Sequence, residues 1–117
     1  MSTQNYRPSD QELADWSKRR DALASQLENF TYPPDDGWLR ELVVRHTEPM
    51  AEACKGLSKD VPLNVRLSEA AMETDRHLKE KIVNTGQRAE ADVEYLHASL
   101  KRCVAAMDEW VKTHSKS

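Results

Sequence analysis

From Leu67 to Trp110 the chain carries one unbroken series of core-type residues. They are Leu67, Ala71, Thr74, Leu78, Ile82, Thr85, Ala89, Val93, Leu96, Leu100, Cys103, Met107 and Trp110. Every step is three or four residues, so these side chains share one face of an α-helix and cannot share one face of a strand. After Pro62 there is no further proline, and Gly86 is the one glycine. A segment with this period and so few breakers is helical. The open question is whether it is one helix or two.

The question turns on Asn84-Thr85-Gly86-Gln87-Arg88. Keeping Asn, Thr and Gly inside a helix costs about 2 kcal/mol relative to alanine, and burial of a few stripe residues offsets that. A helical hairpin needs a stop followed by a good N-cap, and Gln87 after Gly86 is a poor one. Because the stripe keeps phase through Thr85 and Ala89, the sequence favours one long helix over about 62–113 with a weak point at 84–87. That helix would be about 75–80 Å long, against about 30 Å for each of the others. The alternative is a turn at Asn84–Gln87, giving an up-down four-helix bundle. Lys79 and Lys81 before the break and Glu90 and Asp92 after it carry the signs that two new helix ends would favour.

Two shorter helices precede this segment. Ser9 followed by Glu12 is a capping box, and Leu13, Trp16, Leu23, Leu27 and Phe30 form a stripe interrupted by Arg20. Tyr32-Pro33-Pro34 ends that helix, expected over 9–30, because residues before proline avoid the α region. Asp35 and Asp36 suit the start of a second helix over 37–56, with stripe positions Leu39, Leu42 or Val43, His46, Met50, Ala53 and Leu57. Pro49 lies inside it and should kink it near Thr47 or Glu48. Gly56 is its expected C-terminal stop, Asp60 the cap of the next helix, and Pro62 lies in that helix's first turn. The whole chain, 1–117, reads as one all-α domain with an N-terminal arm over 1–8 and a tail over 114–117.

Composition limits function more than it specifies it. A net charge of -3 gives no bulk electrostatic reason to bind nucleic acid or an anionic membrane. Lys18-Arg19-Arg20 is flanked by Asp15 and Asp21 and reads as a solvated helix face. No apolar run approaches the roughly 20 residues of a membrane span. The first residues lack the hydrophobic region of a signal peptide, so a cytoplasmic location is expected. Cys54 and Cys103, without metal-ligand spacing, read as reduced, partly buried thiols.

Few constellations could carry chemistry. Glu94-x-x-His97 has the spacing that di-iron bundles use, but no second such pair or added carboxylates complete it. Glu69, Glu73 and His77 recur at four-residue intervals and read as a solvated face with i,i+4 pairs such as Glu73–His77. His77-Leu78-Lys79 and His97 to Lys101 invite comparison with histidine phosphotransfer domains. Glu80 and Arg102 then stand where that pattern has a small residue, and an acid beside a phosphorylated His77 would repel the product. A His-dependent regulatory bundle is nevertheless the competing functional class.

The sequence is therefore read as a non-enzymatic protein–protein interaction module or a small subunit of a larger assembly, with no cofactor and no metal. Its expected partner is another chain or a second copy. The expected contact surface is the C-terminal half of the long stripe: Val93, Leu96, Leu100, Met107 and Trp110, where large apolar side chains are densest.

Overall fold

The computed structural model describes residues 7–115, so most of the expected N-terminal arm and the end of the expected tail lie outside the described residues. Four helices form an up-down bundle. Helix α1 is Asp10–Leu27. Helix α2 runs as Asp36–Leu42, a π-helical turn Val43–Thr47, and Glu48–Cys54. Helix α3 is Pro62–His77 extended by a π-helical turn, Leu78–Val83, and α4 is Glu90–His114. The all-α bundle expected from the sequence is what the chain forms.

The long continuous helix is not. The longest dimension of the molecule is 46 Å, too short for a helix running unbroken over 62–113. The chain reverses over 84–89, and Gly86 takes a left-handed φ of 71°, a conformation that glycine adopts without steric penalty. No side chain caps the start of α4 at Ala89, which agrees with the poor capping chemistry of Gln87. The stop is made at the other end. The Thr85 hydroxyl donates to the carbonyl of Lys81 at 2.9 Å, and Arg88 Nη1 donates to that of Ile82 at 2.9 Å. Arg88 also pairs with Asp36, and the Tyr32 hydroxyl donates to the Arg88 carbonyl at 3.2 Å. The α3–α4 turn is thus pinned to the α1–α2 connection, which contains a cis Tyr32–Pro33 bond.

The remaining punctuation follows local chemistry. Ser9 and Glu12 form both halves of the capping box. The Asp35 carboxylate accepts from the Trp38 N–H at 3.1 Å. Val61, not Asp60, occupies the N-cap position of α3, and Pro62 stands in its first turn. Gly56 lies beyond the last helical residue, Cys54, and its N–H bonds to the Ala53 carbonyl. The kink expected at Pro49 takes the form of the π turn. Proline would press on the carbonyl four residues back, and widening the preceding turn relieves this. The Glu48 N–H accordingly reaches the Val43 carbonyl, five residues back.

The core runs the length of the bundle. Leu23, Leu39, Leu42, Leu67, Leu78, Ile82, Leu96, Leu100, Met107 and Trp110 are all at most 1% exposed. In the long stripe only Thr85 and Ala89, the two members inside the turn, are exposed. Two polar side chains of this core satisfy each other and the backbone. Trp110 Nε1 donates to Asn64 Oδ1 at 2.7 Å, and Asn64 Nδ2 donates to the Ser58 carbonyl at 3.0 Å. No helix among the described residues is long and apolar enough to cross a membrane.

Candidate functional site: the seam between the first two helices

The residues expected to meet a partner belong to the interior. Val93 is 2% exposed, and Leu96, Leu100, Met107 and Trp110 are fully buried. Trp110 packs against Trp16 of α1, with ring centroids 5.9 Å apart. The turn at 84–89 folds α4 back onto α3, so the face that a long helix would leave uncovered is covered by the chain itself. These five side chains hold the bundle together and present no surface.

The histidines are similarly engaged. His77 is buried, and its Nε2 donates to the Asp92 carbonyl at 2.9 Å, which fixes the proton on that nitrogen. Tyr95 lies 4.5 Å from its ring. Glu73 holds Arg76 through both carboxylate oxygens, at 2.6 and 2.7 Å, while accepting from the Tyr95 hydroxyl at 3.1 Å. These bonds hold the Glu73 carboxyl below the usual range, with Arg76 the largest cause. His97 stacks on Phe30 at 4.2 Å; burial, then the Lys101 charge, lowers its pKa. No group of three His, Cys, Asp or Glu among the described residues is placed to hold a metal ion. The two cysteines are free and buried, and burial is the largest cause raising both thiols, Cys54 to about 12 and Cys103 to about 11. Neither is a thiolate at neutral pH.

What distinguishes one part of the surface is how the four helices are joined at their seams. Arg20 of α1 reaches Asp108 of α4 at 3.2 Å. Arg66 of α3 faces Glu109 of α4 at 3.6 Å. Lys79 of α3 bridges to Glu48 of α2 at 2.9 Å, beside a Thr47–Asp75 hydrogen bond. The α1–α2 seam has no such ion pair among the described residues. A groove runs along this seam, as along the α2–α3 and α3–α4 seams, with Leu23 and Met50 buried beneath it and Ala22 and Pro49 at its lip. Its walls are Lys18 and Arg19 on one side and Arg45 and His46 on the other.

Each wall residue has a local reason for its position. The run Lys18-Arg19-Arg20 divides: Arg20 turns to Asp21 and Asp108, while the Arg19 guanidinium lies over the Trp16 ring at 4.6 Å. Neither Lys18 nor Arg19 has a carboxylate partner among the described residues. Arg45 is paired along its own helix with Glu41, both side chains being largely exposed. The π turn sets the phase of Arg45 and His46 relative to Pro49 and Met50 and so shapes the far wall. Burial lowers the pKa of His46, Arg45 lowers it further, and Glu41 partly opposes the shift. The groove is thus lined by Lys18 and Arg19 on one side and by the Arg45–Glu41 pair and His46 on the other, around the apolar floor of Leu23 and Met50.

Sequence reasoning treated Lys18-Arg19-Arg20 as solvated and placed His46 on an apolar stripe, and it could not bring the two together. The available signal was the π-generating Pro49 next to Arg45-His46, which marks a local change of helix phase. Comparisons with protein-family models, curated proteins and solved structures find no match to this chain.

Proposed function

We propose that the chain is a non-enzymatic binding module that docks a partner protein in the α1–α2 seam. The observation that carries this reading is the contrast among the seams. Salt bridges span α1–α4, α3–α4 and α2–α3. Among the described residues no ion pair crosses the α1–α2 groove, whose floor of Leu23 and Met50 is apolar and buried. A groove between packed helices with an apolar base and a polar rim is suited to receive a segment of another chain. The surface differs from the one the stripe suggested, because that stripe is used internally, but the role as a small interaction subunit is retained.

The test places a photoreactive amino acid at Ala22 in the groove and, as controls, at Ala98 and Ala105 on exposed parts of α4. A partner crosslinked from Ala22 is then purified and recombined with the wild-type chain and with Ala22→Tyr, which fills the groove. The reading expects stoichiometric binding that is lost in Ala22→Tyr while helicity is unchanged. Equal crosslinking from all three positions, or binding indifferent to Ala22→Tyr, would overturn it.

A further inference from the structure

We infer that the α3–α4 face is a self-association surface, on which a second copy of this chain docks face to face about a two-fold axis running along the groove between these helices. This surface is separate from the α1–α2 seam and independent of the docking role proposed there. Two features of the face lead to it.

The first is a repeated pattern of charge. Arg66, Ala70 and Glu73 of α3 and Arg102, Ala106 and Glu109 of α4 line the groove at identical spacing. In each trio the arginine is followed four residues on by alanine and three further on by glutamate. Steps of four and three keep each trio on one stripe of its helix. The two helices run antiparallel, and the Arg66–Glu109 contact at 3.6 Å sets their register. That register brings Glu73 level with Arg102. The corners of the groove therefore alternate in sign, base opposite acid at one end and acid opposite base at the other. Such a square is complementary to itself. Turned over about the groove axis, it lays α3 of one copy antiparallel on α4 of the other and sets every corner against its opposite charge. A ligand of one sign would be repelled by half of the corners. The alanines between the corners allow the helices to approach closely.

The second feature is what the chain leaves unpaired there. Glu109 is engaged by Arg66, and Glu73 by Arg76 and the Tyr95 hydroxyl. Arg76 is itself held between Glu73 and Glu80. Glu69 and Arg102, which also line the groove, have no ion-pair partner among the described residues. Both are exposed, they are opposite in sign, and they stand on opposite walls about one turn apart along the groove. Ala105 holds on α4 the position that Glu69 holds on α3, so the two-fold rotation sets the Glu69 carboxylate over a small side chain and not over a second acid. From there Arg102 of the second copy is one turn away, and the symmetry makes the contact twice. A second copy thus supplies an acid and a base together, where the isolated chain leaves one of each.

The test is sedimentation velocity of the full chain over a concentration series into the millimolar range. The samples are the wild type, Glu69→Arg, Arg102→Glu and an equimolar mixture of the two variants. Both positions are exposed, and far-ultraviolet circular dichroism checks that each variant keeps its helices. A monomer–dimer equilibrium is expected for the wild type. Each variant alone should dimerise about tenfold more weakly, because one substitution reverses a surface charge contact at both symmetry-related places. The mixture should recover dimer, since the reversed charge of one variant then meets the reversed charge of the other. If either reversal disturbs the fold, Glu69→Gln and Arg102→Gln serve, with a smaller expected loss. In the isotopically labelled wild type, amide shifts on dilution should fall at Ala70, Arg102 and Ala105 and spare Ala22 and Arg45. A wild type that stays monomeric throughout would overturn the inference, as would a dimer that both variants leave intact or a mixture no more associated than its components. Dilution shifts confined to Ala22 and Arg45 would also overturn it and make the α1–α2 seam the contact between copies.

Discussion

Replacing Gly86 by alanine tests the turn that defines this fold, and it does so by the sign of the effect. Gly86 sits at φ 71° with nothing within 4 Å of the place a Cβ would take, so the substitution meets no steric obstacle from neighbours. What it meets is the backbone. An L-residue in the left-handed region costs about 1–2 kcal/mol. Alanine also removes conformational freedom from the unfolded chain, which returns about 0.4–1 kcal/mol. The net expectation for Gly86→Ala is a loss of about 1 kcal/mol. In a continuous helix the same substitution would gain about 1 kcal/mol, the difference in helix propensity between glycine and alanine. The two architectures therefore differ by about 2 kcal/mol at this position and in opposite directions. Urea denaturation followed by far-ultraviolet circular dichroism reads the midpoint, with the slope expected to stay constant because the surface exposed on unfolding is unchanged. Thermal melting should shift down by about 3–5 °C for a chain of this size. Gly86→Asn, whose side chain tolerates the left-handed region, should lose less than Gly86→Ala. A midpoint for Gly86→Ala equal to or above the wild type would refute the turn.

Three further outcomes follow from the same structure. Trp110→Phe removes the donor to Asn64 Oδ1 and leaves a buried acceptor beside a small void, so a loss of about 3 kcal/mol is expected in equilibrium unfolding; a loss below about 1 kcal/mol would mean that the Trp110–Asn64 bond is not formed. His46, His97 and His114 all have pKa values lowered from 6.5, with burial the first cause, so the unfolded chain binds more protons below that pH. Their contribution to stability is therefore full above pH 6.5 and declines as pH falls towards the folded-state values, a slope that His97→Gln should reduce. Cys54 and Cys103, raised to about 12 and about 11, should resist a thiol-specific chromogenic reagent at neutral pH and react together once urea unfolds the bundle. Rapid labelling of the native chain would contradict their burial.

Much of the fold was legible because its determinants are local. Ser9 and Glu12 cap a helix within four residues of sequence, and both halves of their box are present. Pro49 acts on the turn immediately before it, and that turn is π-helical. The long stripe likewise identified the core, since nearly all of it is buried. The turn at 84–89 was illegible for a reason of the same kind. Phase is a property of a helix, but a connection that happens to return the chain at a compatible angle also preserves it, so an unbroken stripe cannot exclude a break. The determinants of that break are not local: Arg88 holds Ile82, Asp36 and, through its carbonyl, Tyr32, and of those partners Tyr32 lies in another connection and Asp36 at the start of α2.

The seam was hidden more deeply, because it consists of an absence of pairing that only the assembled bundle defines. Arg20 and Lys18 are two residues apart in one basic run, yet one finds Asp108 and the other faces Arg45 across a groove. No spacing rule separates them. Once the turn is in place the dense apolar stripe becomes the weakest guide to a partner surface, since a bundle closed on itself spends its large side chains on the interior. Interaction surfaces on such a bundle must then be sought among charged positions whose seam offers no counter-charge. By that criterion the α1–α2 groove, where Lys18 and Arg19 line a seam that no ion pair crosses among the described residues, is the surface we propose for docking.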